Sequence, residues 1–232
     1  MRADDIEEMR KLPFFDGCDP EAVTRILRAS FLQRFPAHVE LIREGDPPDF
    51  LHLVIEGQVE MYSRYRDRET TIAVVGPTQP FILAAVLTDR VYLKAARALS
   101  ACRILMLPAD LIRNLFATDP NFARNYAVEL ASAYRDVVKE LKNQKLRSSL
   151  ERLANWLLRA EADAGGRRAF TIPFDKKVLA ARLGMAPEVL SRSFAALAEY
   201  NVSVKGPAIA INDIDALRRL ARPSATIDNA AI

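Results

Sequence analysis

The sequence predicts an α+β protein: an N-terminal antiparallel β-roll, one long helix, and a C-terminal helix-turn-helix with two wing strands. Three stretches carry that prediction. "LIREGDPPDFLHLVIEGQVEMYSRYRDRETTIAVV", residues 41–75, is a set of short β-rich runs. Turn signals cut it at Gly45-Asp46-Pro47-Pro48, Gly57 and Asp67-Arg68, as in an antiparallel sandwich or roll. Ala123, Ala127, Leu130, Tyr134, Val137 and Leu141 recur alternately four and three residues apart, which is a heptad seam. "KKVLAARLGMAPEVLSRSFAAL", residues 176–197, repeats helical spacing on both sides of a glycine and a proline.

Taken in order, residues 4–35 read as short helices with a proline break. Asp19-Pro20-Glu21 starts one of them, with Asp19 as N-cap and Pro20 at the first helical position. The β texture begins near Glu40, and "YLKAARALSACRILMLP" continues it to Pro108. Pro108 starts a short helix, "PADLIRNLFATDP", and Asp119-Pro120 opens the long one. A helix with a heptad seam needs a partner. A second copy of the chain is the simplest, and packing on its own β domain is the other reading. A further helix runs from Ser148 to Ala164 and ends at Gly165-Gly166. "FTIPF" reads as a strand, "VSVKGPAIAIND" as two strands around Gly206-Pro207, and "PSATIDNAAI" as a frayed tail. The expected divisions are a β-roll at 1–118, a helix at 119–147, a helix-turn-helix domain at 148–222 and a tail at 223–232.

Asp175 is placed to cap a helix at Lys176–Arg182, which stops at Gly184. Pro187 sits in the first turn of the next helix, and Val189, Leu190, Phe194 and Leu197 supply its buried side. Two short helices with a tight glycine turn make a helix-turn-helix, whose second helix enters the major groove N-terminus first. Glu188, Ser191 and Arg192 then face base edges. Arg grips guanine through two hydrogen bonds, Glu accepts from the cytosine amino group, and Ser suits several edges. Lys177 is placed for a phosphate contact. A helical hairpin with a solvated polar face is the competing reading, and the two following strands argue for the winged variant.

Composition bounds the rest. The chain has 232 residues, half of them apolar, and a formal charge of +3. This permits an acidic partner without showing one. Apolar runs such as "FILAAVL" fall well short of the roughly 18 residues of a membrane span. The acidic, polar "MRADDIEEMRKLPFF" has no apolar signal core, so a cytoplasmic protein is expected. Cys18 and Cys102 form no metal-binding spacing. No nucleophile–base pair, phosphate loop or metal triad is visible, so no enzyme is expected.

These residues resemble the CRP/FNR family of bacterial transcription regulators over about residues 12–222. "LIREGDPPDFLHLVIEGQVEMY" is similar to the β-roll signature of that family's cyclic-nucleotide-binding-like domain, with Gly45, Asp46 and Gly57 at its glycine and acidic positions. "PEVLSRSF" resembles the E-x-x-S-R recognition helix of the FNR branch. The resemblance implies a homodimer that binds double-stranded DNA at a two-fold-symmetric promoter site with TTGA-type half-sites, and acts with RNA polymerase. Cyclic-nucleotide binders of the family carry Gly-Glu after the Phe-Ile pair and then Arg-Ser. Aligned on Phe81-Ile82, this chain has Leu83 and Ala84, then Tyr92 and Leu93. A cyclic phosphate there would be a buried charge without its partner, so neither cAMP nor cGMP is expected. Iron–sulfur members need four cysteines, which this chain lacks.

What remains is an apolar pocket. In the architecture that the resemblance implies, Phe81, Ile82, Leu83, Ala84, Tyr92 and Leu93 face Tyr126 and Leu130 of the long helix. The pattern resembles the cluster-free, nitric-oxide-responsive branch (NNR, DNR and NnrR), for which haem is the implied cofactor. His52 and His38 are then the only imidazoles available to iron. An HbaR-like regulator answering an aromatic acid is the alternative, with Lys94 or Arg97 holding the carboxylate. A dimer that needs no effector, or that binds only proteins, is a further reading.

Overall fold

The computed structural model describes residues 1–229, which divide into two compact units that meet between Ala133 and Tyr134. Helix α1 (Ala3–Arg10), a 3-10 turn at Pro13–Phe15 and helix α2 (Pro20–Ala29) open the first unit. The Asp19 carboxylate caps α2 by accepting from the backbone of Glu21 and Ala22 at 3.2 and 3.1 Å. The expected helical texture up to residue 35 is corrected at Phe31. Residues Phe31–Phe35 form strand β1, because their backbone pairs with a distant strand that a local reading does not see.

The roll continues as β2 (Glu40–Ile42), β3 (Phe50–Glu56), β4 (Val59–Tyr65), β5 (Arg68–Val75), β6 (Pro80–Phe81), helix α3 (Leu83–Thr88), β7 (Ala95–Ala98) and β8 (Cys102–Pro108). Two antiparallel four-stranded sheets result, ordered β1-β8-β3-β6 and β2-β7-β4-β5. Gly57 makes the turn after β3 at φ +86, and a Cβ there would lie 2.4 Å from the Ala101 carbonyl oxygen. A side chain would therefore break both the turn and the approach of the next loop. Val54, Val59, Met61, Phe81, Ala96 and Ile104 fill the roll interior.

Helix α4 (Ala109–Thr118) leads to helix α5 (Pro120–Leu146). The Asp119 carboxylate joins them: it accepts from the backbone of Asn121, Phe122 and Asp19 at 2.9, 3.0 and 2.8 Å. The first turns of α5 bury Phe122 and Tyr126 against Phe14 and Phe15, with ring centroids 5.2–6.2 Å apart. Such pairs contribute about 0.5–1.5 kcal/mol each beyond their burial.

The second unit holds the distal part of α5, then α6 (Ser149–Asp163), β9 (Ala169–Thr171), α7 (Lys176–Arg182), α8 (Pro187–Ala196), β10 (Val202–Lys205), β11 (Ala208–Ile211), α9 (Ile214–Ala221) and α10 (Ala225–Asp228). Ser148 and Glu151 form a reciprocal capping box at the start of α6. Strands β10, β11 and β9 make an antiparallel sheet, in that order. Leu153, Leu157, Leu179, Leu190, Leu197 and Leu217 lie in its core. Residues 223–229 are not the frayed tail that their composition predicts. Ile227 is buried, and Arg147 holds Asp228 through two hydrogen bonds of 2.8 and 2.5 Å. Residues 230–232 of the expected tail lie outside the described residues.

Candidate nucleic-acid interface, dimer seam and effector region

Helices α7 and α8 meet at Gly184, whose φ of +61 suits a glycine. A Cβ there would stand 3.3 Å from the Gln144 side chain. Asp175 occupies the N-cap position of α7 but its side chain makes no capping bond. Leu190 and Phe194 bury one side of α8, and Pro187 opens it. Glu188, Ser191 and Arg192, spaced i, i+3, i+4, therefore share the opposite, exposed side. Among the described residues none of the three makes a side-chain hydrogen bond or ion pair. Three exposed polar groups with no internal partner are available to an external one. A shallow depression lined by Lys176, Lys177, Pro187, Leu190, Ser191 and Phe194 adjoins them. Lys177 is exposed at its edge. Lys176 lies with its ammonium 4.9 Å from the centre of the Phe194 ring, a cation–π contact that holds positive charge beside the helix start.

Arg152, which the sequence reading missed, fixes the turn. It is buried, and its Nε donates to the Leu183 carbonyl at 2.8 Å while Nη1 donates to the Arg147 carbonyl at 2.8 Å. Nη2 reaches the Gly184 carbonyl at 3.3 Å. One guanidinium thus satisfies carbonyls at the end of α5 and in the α7–α8 turn. Its position in the apolar period of α6 is the one sequence signal of burial; its partners are far away in the chain.

The heptad residues of α5 behave in two ways. Leu130 packs against the first unit's core and Ala123 is half-buried. Ala127 is exposed, and Tyr134, Val137 and Leu141 are 70%, 61% and 51% exposed. That stripe has no partner within the described residues of one chain.

The residues of the expected effector pocket are brought together only in part. Phe81 and Leu83 are buried and Ile82 caps α3 in a left-handed conformation, but Ala84 is exposed and Leu93 is 82% exposed. The Tyr126 hydroxyl donates to the Leu83 carbonyl at 2.9 Å, and its ring packs on Phe14, Phe116 and Phe122. Tyr126 and Leu83 therefore meet directly, with the Tyr126 ring set in an aromatic cluster of the core. Arg97 is also committed: it donates to Glu60 at 2.7 Å and to Glu69 at 2.8 Å, and covers Tyr62 at 4.4 Å. It is not free for a ligand carboxylate or phosphate. Lys94 is half-buried, and burial holds its pKa below the ordinary value.

Tyr92 and His52 instead border a second depression, with Glu40, Asp46, Asp49 and Met106. Burial, reinforced by Asp49, pushes the Tyr92 phenol up to about 12. His52 is buried, its ring 5.2 Å from that of Phe81 and its Nδ1 3.2 Å from the Phe50 carbonyl oxygen. Burial lowers its pKa to about 4, so the imidazole is neutral. His38 is exposed in a left-handed turn. A neutral, oriented His52 has the protonation an iron ligand needs. Its surroundings do not fit a haem: the depression that it borders carries three carboxylates, and the one cation in that lining, Arg43, is paired with Glu40 at 3.1 Å. Among the described residues no group of three or more His, Cys, Asp or Glu is placed to hold a metal ion.

A β-roll unit, a long helix with an unpartnered seam and a winged helix-turn-helix define a DNA-binding transcription regulator. Residues 32–119 match the cyclic nucleotide-binding domain model, and residues 151–220 match the Crp-like helix-turn-helix domain model. The chain belongs to the CRP/FNR family. It is 23% identical, over 93% of its length and 99% of the relative's, to a CRP-like cAMP-activated global transcriptional regulator of Mycobacterium tuberculosis. Two solved structures share the fold. One, a CRP/FNR-family regulator from Eubacterium rectale, has a TM-score of 0.75 at 20% identity, over 91% of this chain and 98% of that one. The other, FixK2 from Bradyrhizobium japonicum, has a TM-score of 0.74 at 18% identity, over 84% and 99%.

Proposed function

We propose that this protein is a homodimeric regulator that reads a two-fold-symmetric promoter site with TTGA-type half-sites, under an effector other than a cyclic nucleotide. The exposed, unpartnered Glu188, Ser191 and Arg192 at the start of α8 carry the reading. Their chemistry suits base edges, and the apolar side of the same helix anchors it. The apolar stripe on α5 supports pairing through a second copy, which supplies the second reading head. Acting at a promoter implies RNA polymerase as a partner and the cytoplasm as the place. No described helix is long and apolar enough to cross a membrane.

The effector clause rests on Leu83, Ala84, Tyr92 and Leu93, which offer a cyclic phosphate no cation, and on Arg97, which Glu60 and Glu69 already occupy. Haem is not the effector favoured, since the residues around His52 do not fit it. A gel shift against a palindromic TTGA-type duplex tests the reading. Binding that is lost when the half-sites are scrambled is expected; equal binding to scrambled duplex would reject it.

A further inference from the structure

Residues 224–229 lie along the last turns of α5, where Ile227 is buried and specific polar contacts hold the residues around it. Arg147, just past the end of α5, holds Asp228 with Nη1 to Oδ1 at 2.8 Å and Nη2 to Oδ2 at 2.5 Å. Both side chains are nearly buried, at 7% and 13% exposure. The Ser224 backbone also donates to Asp228 at 2.7 Å. One turn back, Lys142 donates to the Thr226 hydroxyl at 2.8 Å and Lys139 to the Asn229 carbonyl at 2.9 Å. Burial opposes the charge on Asp228, yet Arg147 and the Ser224 amide hold its carboxyl below the ordinary value.

The same joint is gripped from the other side. Arg152 donates to the Arg147 carbonyl and to the turn carbonyl of Leu183. Arg147 is thus the point where α5, the α7–α8 turn and the chain beyond α9 are tied. In the heptad Tyr134, Val137 and Leu141 take the a and d positions, so Lys139 and Lys142 fall at f and b, away from the seam. The tail and a partner helix can therefore occupy α5 together.

We propose that Arg147 and Asp228 are positioning residues for DNA reading: the segment 224–229 straps the helix-turn-helix onto the end of the dimer helix and sets how far apart the two reading heads stand. The inference rests on the DNA-reading function above. Two heads must meet half-sites about 34 Å apart, so a looser joint tolerates more separations and prefers none strongly. A bidentate, nearly buried Arg–carboxylate pair has the geometric specificity for this task.

The test compares full-length wild type, Asp228→Asn, and the double exchange Arg147→Asp with Asp228→Arg. Anisotropy measures binding to TTGA-type duplexes whose spacer is optimal or altered by one or two base pairs. Sedimentation follows the dimer, and hydrogen exchange follows amides 144–152. In wild type the optimal spacer is expected to win clearly. In Asp228→Asn that preference should fall about threefold or more, about 0.65 kcal/mol, with the dimer intact and exchange at 144–152 faster. The double exchange should restore part of both. A folded, dimeric Asp228→Asn with unchanged spacer preference and unchanged exchange would overturn the strap. If wild type binds no duplex, the DNA-reading function fails; exchange at 144–152 then judges the strap alone, faster in Asp228→Asn supporting it and unchanged refuting it.

Discussion

Arg192 and Lys177 are both exposed cations of the helix-turn-helix, yet they are expected to fail differently. Arg192 stands one turn into α8, where a guanidinium reaches the two acceptors of guanine. Arg192→Ala should cost roughly 1–3 kcal/mol per half-site and relax the preference at that base. Lys177 belongs to α7, which crosses the backbone in this motif, and Lys177→Ala should weaken all sequences alike and reduce the salt slope by about one. Titrations at three salt concentrations on matched and mutated duplexes separate the two, and identical behaviour would remove the assignment. His52 gives a residue-scale prediction about the fold. Its imidazole is held neutral, with its pKa lowered from 6.5 to about 4. Between those values the unfolded chain binds the proton and the folded one does not. Stability is therefore fully present above pH 6.5 and lost as pH falls toward 4, by roughly 3 kcal/mol at most. Melting curves from pH 7 to pH 4.5 should show this loss for wild type, and His52→Gln should flatten it. A parallel slope in the variant would assign the acid loss to other groups.

At the scale of elements, α5 carries the next prediction. Its distal stripe exposes Tyr134, Val137 and Leu141, apolar side chains that water disfavours and that a second α5 would cover. Val137→Glu or Leu141→Glu would bury a carboxylate from each chain across the two-fold axis. The dimer should weaken by several kcal/mol, and DNA binding should fall with it. Analytical ultracentrifugation at micromolar concentration reads this directly, and intact dimers in both variants would place the interface elsewhere. The same helix shows what a local reading captures. The heptad period and the Asp119-Pro120 start were visible because they depend on near neighbours. Strand β1 reads locally as helix because its character comes from pairing with β8, about seventy residues on. Helix α10 reads locally as frayed because the groups that hold it, Arg147 among them, are equally remote in sequence.

For the whole molecule the question is what the first unit answers. Phe14, Phe15, Phe122 and Tyr126 pack together in its core, and Arg97 is held by two glutamates. Calorimetry with cAMP or cGMP at millimolar concentration should therefore show no binding, less than about 4 kcal/mol of free energy. Micromolar affinity for either nucleotide would overturn this account. Protein purified from haem-supplied cells should likewise show no Soret band; a band that moves in His52→Ala would show that the pocket opens around that histidine.

By itself the sequence determined the order of the parts: the β-roll, the seam, the glycine-and-proline joint of the helix-turn-helix, and the polar face of α8. Periodicity, caps and turn residues act over a few positions, so they can be read without coordinates. Glu188, Ser191 and Arg192 were legible for that reason, since an exposed helix face follows from the apolar face opposite. Only the tertiary structure decided the commitments made at long range. Tyr126 closes on Leu83, Arg97 is taken by Glu60 and Glu69, and Arg152 and Arg147 tie α5 to the reading head and to Asp228. An ionic or hydroxyl group announces its need for a partner in any sequence, but which partner satisfies it depends on which distant segments the fold brings together.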